Sequence, residues 1–128
     1  MVKEIIAVTV KAKKADVIKT KSDLLAVGVF SNTEKQSRLY EALDEKLNGA
    51  ISKICQLGDF KAKPKTTAIL YGNEKIGTER VLLVGLGDKK KVTVDTLRKA
   101  AALTANKAVT LKARTLILAL HQDLMTLS

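Results

Sequence analysis

The sequence predicts an α/β sandwich, in which helices flank a mixed, partly parallel sheet of about five strands. Two observations favour this class. Apolar, β-branched runs alternate with segments of helical periodicity, and the longest runs are apolar at nearly every position, as in strands that are covered on both faces. At 128 residues, the chain has the length of one domain, which we assign to 1–128.

The first half of the chain predicts two strands and a helical region. Residues 4–10 are largely β-branched and apolar, and Asp23–Phe30 is an almost continuous apolar run, so both are predicted as strands. From Ser37, apolar residues recur at steps of three and four, which predicts one amphipathic helix or two consecutive ones. Gly49 marks a kink or a restart in this pattern, and Gly58 is placed to end it.

The second half predicts three strands and one long helix. Thr66–Tyr71 is a short strand candidate, Arg80–Val84 is the strongest strand, and Thr115–Leu120 is the last one. Thr93 is placed as the N-cap of a helix that runs to Leu111. The predicted order β-β-α-β-β-α-β favours a sheet with crossover helices.

Composition excludes several classes of protein. The apolar fraction of 46% is too high for a disordered chain, and no apolar run reaches the roughly 18–20 residues that a membrane span needs. No signal peptide is visible, so we expect a cytoplasmic protein without membrane contact. One cysteine and one histidine exclude a disulfide framework and a multi-histidine metal site. Lys and Arg total 23 against 13 acids, which gives a net charge of +10.

A glycine turn is the first candidate site. Gly85-Leu86-Gly87 leads from a strand toward a helix, a place where phosphates often bind. A dinucleotide fingerprint would need a third glycine where Lys90 stands, and the P-loop pattern is missing. Two interpretations stay open: Gly85 and Gly87 permit a tight turn, or they form an anion pocket together with the lysines at 89–91.

The basic residues are the second candidate site. Lys61, Lys63 and Lys65 alternate along a loop, and in a straight loop all three would project to one side. With Lys89, Lys90 and Lys91 they would form a basic patch for nucleic acid. The alternative is a solvated loop with surplus lysines, since charge alone provides only sequence-independent attraction to phosphate.

No persuasive catalytic centre is visible. Cys55 lies beside Ile51 and Ile54 on a predicted helix, which fits a structural cysteine, because a reactive thiolate needs a partner base. His121 ends a strand with no second ligand or nucleophile nearby in the sequence. We therefore assign no catalytic residue and no metal ligand.

Four segments taken together resemble a known family. They are Asp23–Phe30 (DLLAVGVF), Leu57–Lys63 (LGDFKAK), Ile76–Gly87 (IGTERVLLVGLG) and Val92–Ala101 (VTVDTLRKAA). In this order and spacing they are similar to the N-terminal domain of the cytosol (leucyl) aminopeptidase family. The resemblance extends over most of residues 1–120, and each segment alone is only a structural signature.

The resemblance implies a fold and a parent enzyme. The fold would be a macrodomain-like three-layer sandwich. The parent would be a metallopeptidase that removes N-terminal residues, leucine preferred, using two divalent metals, zinc or manganese, in a C-terminal domain. The family's metal-ligand motif Asn-Thr-Asp-Ala-Glu-Gly-Arg does not occur in this sequence. We therefore expect an N-terminal domain without its peptidase domain, no cofactor in this chain, and no peptidase activity of its own.

Three roles for such a domain stay open. The first is a structural role in the assembly of the parent. The resemblance implies that the parent is a hexamer whose N-terminal domains lie outside the catalytic core. The second is DNA binding through the lysines. The third is recognition of a nucleotide or ADP-ribose, by analogy to macrodomains alone.

Overall fold

The computed structural model describes residues 4–7, 14–32 and 35–120, with side chains from residue 17 onward in those ranges. Five strands, four α-helices and a 3₁₀ turn follow one another in the described part of the chain. In chain order they are β1 Glu4–Ala7, α1 Lys14–Lys19, β2 Ser22–Phe30, α2 Arg38–Lys46, α3 Ala50–Gln56, β3 Thr67–Tyr71, β4 Thr78–Gly87, the 3₁₀ turn Lys89–Lys91, α4 Val94–Thr110 and β5 Thr115–Ala119.

The strands form one mixed sheet in the order β1-β5-β2-β4-β3. Pairing is parallel throughout except between β3 and β4, which are antiparallel. Strands β2 to β5 make up the packed sheet, and the short β1 lies beside β5 at one edge. The predicted α/β class, with a mixed sheet and flanking helices, is confirmed.

Helices cover both faces of the sheet, which gives three layers. Alternate residues of β2 point in opposite directions: Leu25 and Val27 pack in the cluster with α1, α2 and α3, whereas Leu24 and Ala26 pack in the cluster with α4. The four side chains are 0% exposed. This double burial explains why β2 is apolar at nearly every position instead of alternating.

The helical region after Ser37 divides at Gly49, as one of the two predicted alternatives had it. Asn48 and Gly49 both have positive φ, at 58° and 79°. Their amides donate to the carbonyls of Glu45 and Asp44, which is the hydrogen-bond pattern of a Schellman stop. Gly58, with φ +80°, ends α3 in the same way and confirms its predicted place.

Helix α1 differs from the sequence prediction, as does strand β4, which spans Thr78–Gly87 instead of Arg80–Val84. Helix α1 was not predicted, because its six residues are too few to show a helical period. The strand predicted over residues 4–10 is a strand at 4–7, and residues 8–10 lie outside the described ranges.

Asp44 joins α2 to α3. Gly49 offers no side chain to cap α3, and the Asp44 carboxylate takes that place by accepting hydrogen bonds from the backbone amides of Ile51 at 2.9 Å and Ser52 at 3.1 Å. It also accepts a hydrogen bond from the Ser52 hydroxyl. The carboxylate therefore satisfies amides at a helix start that would otherwise lack partners.

Replacing Asp44 with alanine should destabilise the fold. We expect Asp44→Ala to lower the free energy of unfolding by about 1–2 kcal/mol, the usual cost of losing a helix cap. Denaturation in urea measures this. Glu45→Ala is the control, since Glu45 is an exposed acid on the same helix, and an equal loss in both variants would contradict the capping role.

Candidate functional site

The candidate site lies beyond the carboxyl ends of β2 and β4. These two strands are neighbours and run parallel, but the chain leaves β2 toward α2 and α3 on one face and leaves β4 toward α4 on the other. Ligands of open α/β sheets bind at such a point, where the connections diverge. The glycine and lysine candidates from the sequence all lie near it.

Gly85 and Gly87 belong to β4 and do not form a turn, which corrects the sequence prediction. Strand β4 continues to Gly87 because β2 pairs with it on one side and the loop after α3 pairs with it on the other. The Gly87 amide donates to the Ala62 carbonyl at 2.9 Å, and the Gly85 amide donates to the Thr66 carbonyl at 2.8 Å.

Close contact with the loop after α3 requires glycine at both positions, through backbone at Gly85 and through the Pro64 ring at Gly87. A Cβ atom on Gly85 would lie 2.1 Å from the carbonyl oxygen of Lys63. A Cβ atom on Gly87 would lie 2.7 Å from Cγ of Pro64, and Gly87 also has φ +77°. The glycines thus hold the lysine-rich loop against the end of β4.

Two side chains, one from the turn itself and one from the segment after β2, accept from the amides of the turn after Gly87. The Asp88 carboxylate accepts from the Lys90 amide at 2.9 Å, and the Asn32 side chain accepts from the Lys89 amide at 3.3 Å. The hydrogen bond from the Lys90 amide, followed by that from Asn32 and by the charges of Lys91 and Lys90, lowers the pKa of Asp88. The Asp88 carboxylate therefore already provides a negative charge beside these amides, where a bound anion would otherwise provide it.

Helix α4 begins with a complete cap. Thr93 and Thr96 form a capping box, in which the hydroxyl of each accepts from the amide of the other at 3.3 and 3.1 Å. The predicted N-cap at Thr93 is thus confirmed. Since the amides of Lys89, Lys90, Lys91 and Thr96 are partnered within the chain, this geometry favours the structural interpretation of the glycine segment over an anion pocket.

The six candidate lysines are exposed but lie in two groups. The loop that carries the first three is not straight, because Ala62 and Lys65 have φ of 58° and 67°, so the condition for a one-sided row is not met. Lys61 and Lys63 line a cavity of about 700 Å³ beside α2 and α3. Lys65 and Lys91 line another of about 250 Å³ beside α4.

The remaining two lysines differ in their surroundings. Lys89 holds its Nζ atom 5.4 Å from the ring centroid of Phe30, which is within cation–π range. Lys90 lines neither of these two cavities. Phe60, the aromatic residue nearest the loop lysines in sequence, is 4% exposed and packs in the core, so it offers no ring for stacking with a base.

A tyrosine and a cysteine face the larger cavity and were not predicted as a pair. Burial, with the nearby Cys55, raises the pKa of Tyr40 to about 12. Burial also raises the pKa of the Cys55 thiol, against the opposing effect of its hydrogen bond with Tyr40. Both groups are therefore uncharged at neutral pH, and the thiol lacks the thiolate character that nucleophilic chemistry needs. His121 lies outside the described residues.

The described part of the chain contains neither a metal-ligand cluster nor a membrane-spanning helix. Over residues 4–7, 14–32 and 35–120, no group of three or more His, Cys, Asp or Glu side chains is arranged to hold a metal ion. Among the helices of those same ranges, none has the length and apolar character to cross a membrane.

The three-layer sandwich places the chain in a recognisable class of α/β domains. Its fold is similar to the macrodomain of Mycobacterium tuberculosis DarG, with a TM-score of 0.63 over 89% of this chain and 74% of that one. At 8% identity, this likeness shows the shared fold alone. A mutant of tomato leucine aminopeptidase is also similar, with a TM-score of 0.68 and 27% identity over 91% of this chain and 23% of that one.

Sequence comparison identifies the family. The model of the cytosol aminopeptidase family, N-terminal domain, matches residues 26–126. Probable cytosol aminopeptidases of Alkalilimnicola ehrlichii and Thermosynechococcus vestitus are 39% and 35% identical over 78% and 79% of this chain. The chain belongs to the cytosol aminopeptidase family through its N-terminal domain, as the resemblance implied. It spans about a fifth of the length of these relatives, 20% and 21%.

Substitution of Gly85 tests whether close packing, and not the conformational freedom of glycine, is the reason for glycine at this position. We expect Gly85→Ala to lower the free energy of unfolding by about 3 kcal/mol, the upper end for overpacking, because backbone and not a flexible side chain blocks the new Cβ. Amide exchange at Gly85 and Gly87 should also accelerate.

Gly58→Ala is the matched control for this prediction. Gly58 has φ +80° and nothing within 4 Å of an added Cβ, so alanine there should cost about 1 kcal/mol from backbone strain alone. Exchange at the end of β4 should not change. If Gly85→Ala left both stability and exchange unaltered, the close approach of the loop would be refuted.

Proposed function

We propose that this chain is the non-catalytic N-terminal domain of a metal-dependent leucyl aminopeptidase and that it has a structural role in assembly. The match of the family's N-terminal domain over residues 26–126 carries this proposal. In it, the peptidase domain lies outside residues 1–128, and the parent is a cytoplasmic homo-hexamer that removes N-terminal amino acids, preferentially leucine.

The metals belong to the peptidase domain in this proposal. Two divalent ions, zinc or manganese, would activate water for attack on the peptide carbonyl there. The described residues of this chain do not fit such a site, since no cluster of ligating side chains occurs among them. We therefore assign this chain no step of peptide hydrolysis.

Three features of the described residues favour a structural role. The amides at the ends of β2 and β4 are bonded within the chain, the Cys55 thiol is held neutral, and several large apolar side chains remain exposed. These are Leu57, Tyr71, Val94 and Val109, at 65%, 72%, 52% and 51%. Exposed apolar groups are suited to contact with a partner domain or subunit.

Deletion of the domain tests this role. In a full-length enzyme that carries it, removal of residues 1–128 should reduce the hexamer to smaller species in analytical ultracentrifugation. The 128-residue chain, supplied with Zn²⁺ or Mn²⁺, should release no chromophore from a leucyl p-nitroanilide. An intact hexamer after the deletion would refute the assembly role, and metal-dependent release by the chain alone would refute its non-catalytic character.

DNA binding through the lysines is the alternative. It is favoured by the net charge of +10 and by the exposure of Lys61, Lys63, Lys65, Lys89, Lys90 and Lys91 near one end of the sheet. Lys61 and Lys63 line one cavity and Lys65 and Lys91 line another, so each pair could contact one stretch of phosphate backbone. Such binding would be electrostatic and independent of base sequence.

A salt titration of DNA binding tests the alternative. The logarithm of the association constant should fall linearly with the logarithm of salt concentration, and the Lys61→Ala, Lys63→Ala double variant should reduce that slope by about 2. Lys46→Ala with Lys53→Ala is the control, because it removes the same charge from exposed positions on α2 and α3. Equal effects of the two pairs would contradict a localised contact.

Recognition of a nucleotide or ADP-ribose has weaker support. A fold that is similar to a macrodomain does not by itself establish a shared function. The Ser31 amide donates to the Gly87 carbonyl at 2.9 Å, which continues the ladder between β2 and β4 to the last residue of β4. Heat release on titration with millimolar ADP-ribose would favour this role over the structural one.

A further inference from the structure

A cavity of about 680 Å³ lies at the end of the sheet opposite the candidate site. It is found at the amino ends of β2, β4 and β5, which run parallel, whereas the candidate site lies beyond the carboxyl ends. Its walls are the end of α1, the turn that joins β3 to β4, and the first residues of β2 and β5. The volume is within the range of about 300–1,000 Å³ that small-molecule sites occupy.

The hydroxyl of Ser22, the first residue of β2, has no partner within the chain. Ser22 lines this cavity and is 6% exposed, and its Oγ atom is buried without a hydrogen bond. Thr78, which pairs with Ser22 in the sheet, is buried as well, but its hydroxyl donates to the Arg80 carbonyl at 2.9 Å. A buried polar group without a partner is costly and calls for an explanation. Because Ser22 has no bond to give up, a turn about its Cα–Cβ bond toward a ligand gains a hydrogen bond and loses none.

Backbone contacts fix the wall on which Ser22 lies. The Ser22 amide donates to the Gly77 carbonyl at 3.4 Å, and the Gly77 amide donates to the Ile18 carbonyl at 2.7 Å. A Cβ atom on Gly77 would lie 2.4 Å from the carbonyl oxygen of Thr20, so the turn after β3 is in direct contact with the end of α1. The wall is therefore preorganised, which lowers the entropic cost of binding a ligand.

The cavity carries charges of both signs in equal number, although the whole chain has a net charge of +10. Its charged residues are Lys19, Lys21, Lys75, Asp23, Glu74 and Glu79. Among the described residues, no ion pair joins these lysines to these acids. Such a lining favours a ligand that itself carries both charges over a simple anion, because an anion would leave the acids without a partner.

The three acids differ in what they can still bind. Oδ2 of Asp23 accepts from the backbone amides of Arg114 at 2.6 Å and Thr115 at 3.3 Å, so this carboxylate is held against the start of β5. Glu74 and Glu79 are exposed, and within the described ranges neither side chain is engaged in a hydrogen bond or an ion pair. These two carboxylates are therefore the acceptors for a cationic group.

We propose that this cavity binds a free α-amino acid in its zwitterionic form. The carboxylate of the ligand accepts a charge-assisted hydrogen bond from Ser22 and lies among the lysines, and its ammonium group lies toward Glu74 and Glu79. Water screens these exposed charges, so the dissociation constant is on the order of 1 mM. The choice of leucine as the probe rests on the proposed function, in which the parent releases leucine, whereas affinity for a zwitterion rests on the cavity alone.

Titration of the 128-residue chain with L-leucine, followed by the NMR shifts of the Ser22, Gly77 and Thr115 amides, tests the proposal. The shifts should saturate with a dissociation constant on the order of 1 mM. 4-Methylpentanoate, which lacks the ammonium, and 3-methylbutylamine, which lacks the carboxylate, should each bind at least about tenfold more weakly. Glu74→Gln with Glu79→Gln should weaken the binding of leucine but not that of 4-methylpentanoate. Inorganic phosphate that binds as tightly as leucine would identify an anion site and overturn the proposal.

Ser22→Ala and Thr78→Ala are matched variants. Ser22→Ala should raise the dissociation constant of leucine about tenfold and should not lower the free energy of unfolding, because no bond within the chain is lost. Thr78→Ala removes a bonded hydroxyl, so it should lower the free energy of unfolding and change the dissociation constant by less than about twofold.

Three results would overturn this site. They are the lack of a saturable shift with leucine, unchanged leucine affinity in Ser22→Ala, and a loss of stability in Ser22→Ala as large as that in Thr78→Ala. None of them bears on the assembly role, because deletion of the domain measures that role on the full-length enzyme.

Discussion

The parallel pairing of β2 with β4, buried on both faces, is the constraint on which the rest of the molecule depends. Leu24 to Val27 and Val81 to Val84 are 0% exposed, because helices cover each face and other strands cover the outer edges of the pair. Burial of this kind accounts for most of the favourable free energy of folding. It also leaves no room for polar side chains in the middle of the sheet: among the described residues, the buried polar side chains are Ser22 and Thr78 at the starts of strands and Thr104 in α4.

The carboxyl end of this strand pair is where the fold would admit a ligand, and here groups of the chain itself bond several backbone amides beside two cavities. Asn32 and Asp88 accept from the amides of Lys89 and Lys90, and Thr93 accepts from the Thr96 amide in α4. The Ala62–Thr66 loop pairs with the last residues of β4. The macrodomain neighbour shares the three-layer sandwich at 8% identity. Two domains can therefore share a fold while the residues at their strand ends differ, and those residues determine what the strand ends bind.

Surface charge is the second property that distinguishes this domain. The ion pair between Lys99 and Asp95, with 3.1 Å between Nζ and Oδ2, joins exposed side chains and contributes little to stability. The excess of ten positive charges is therefore not explained by the fold. It is a property of the surface, which repels like molecules and attracts polyanions.

The sequence by itself determined the sheet, the helices with clear periods, the N-cap at Thr93 and the stop at Gly58, because hydrophobic spacing and capping act over a few neighbouring residues. It also indicated the family, through four segments spread along the chain. Only the tertiary structure decided what Gly85 and Gly87 do, since the backbone that crowds Gly85 comes from Lys63, more than twenty positions earlier. Three other features likewise depend on which elements become neighbours: the division of the lysines into two groups, the Tyr40–Cys55 contact and the open edge of β3. The local spacing of residues in the sequence does not indicate which elements become neighbours.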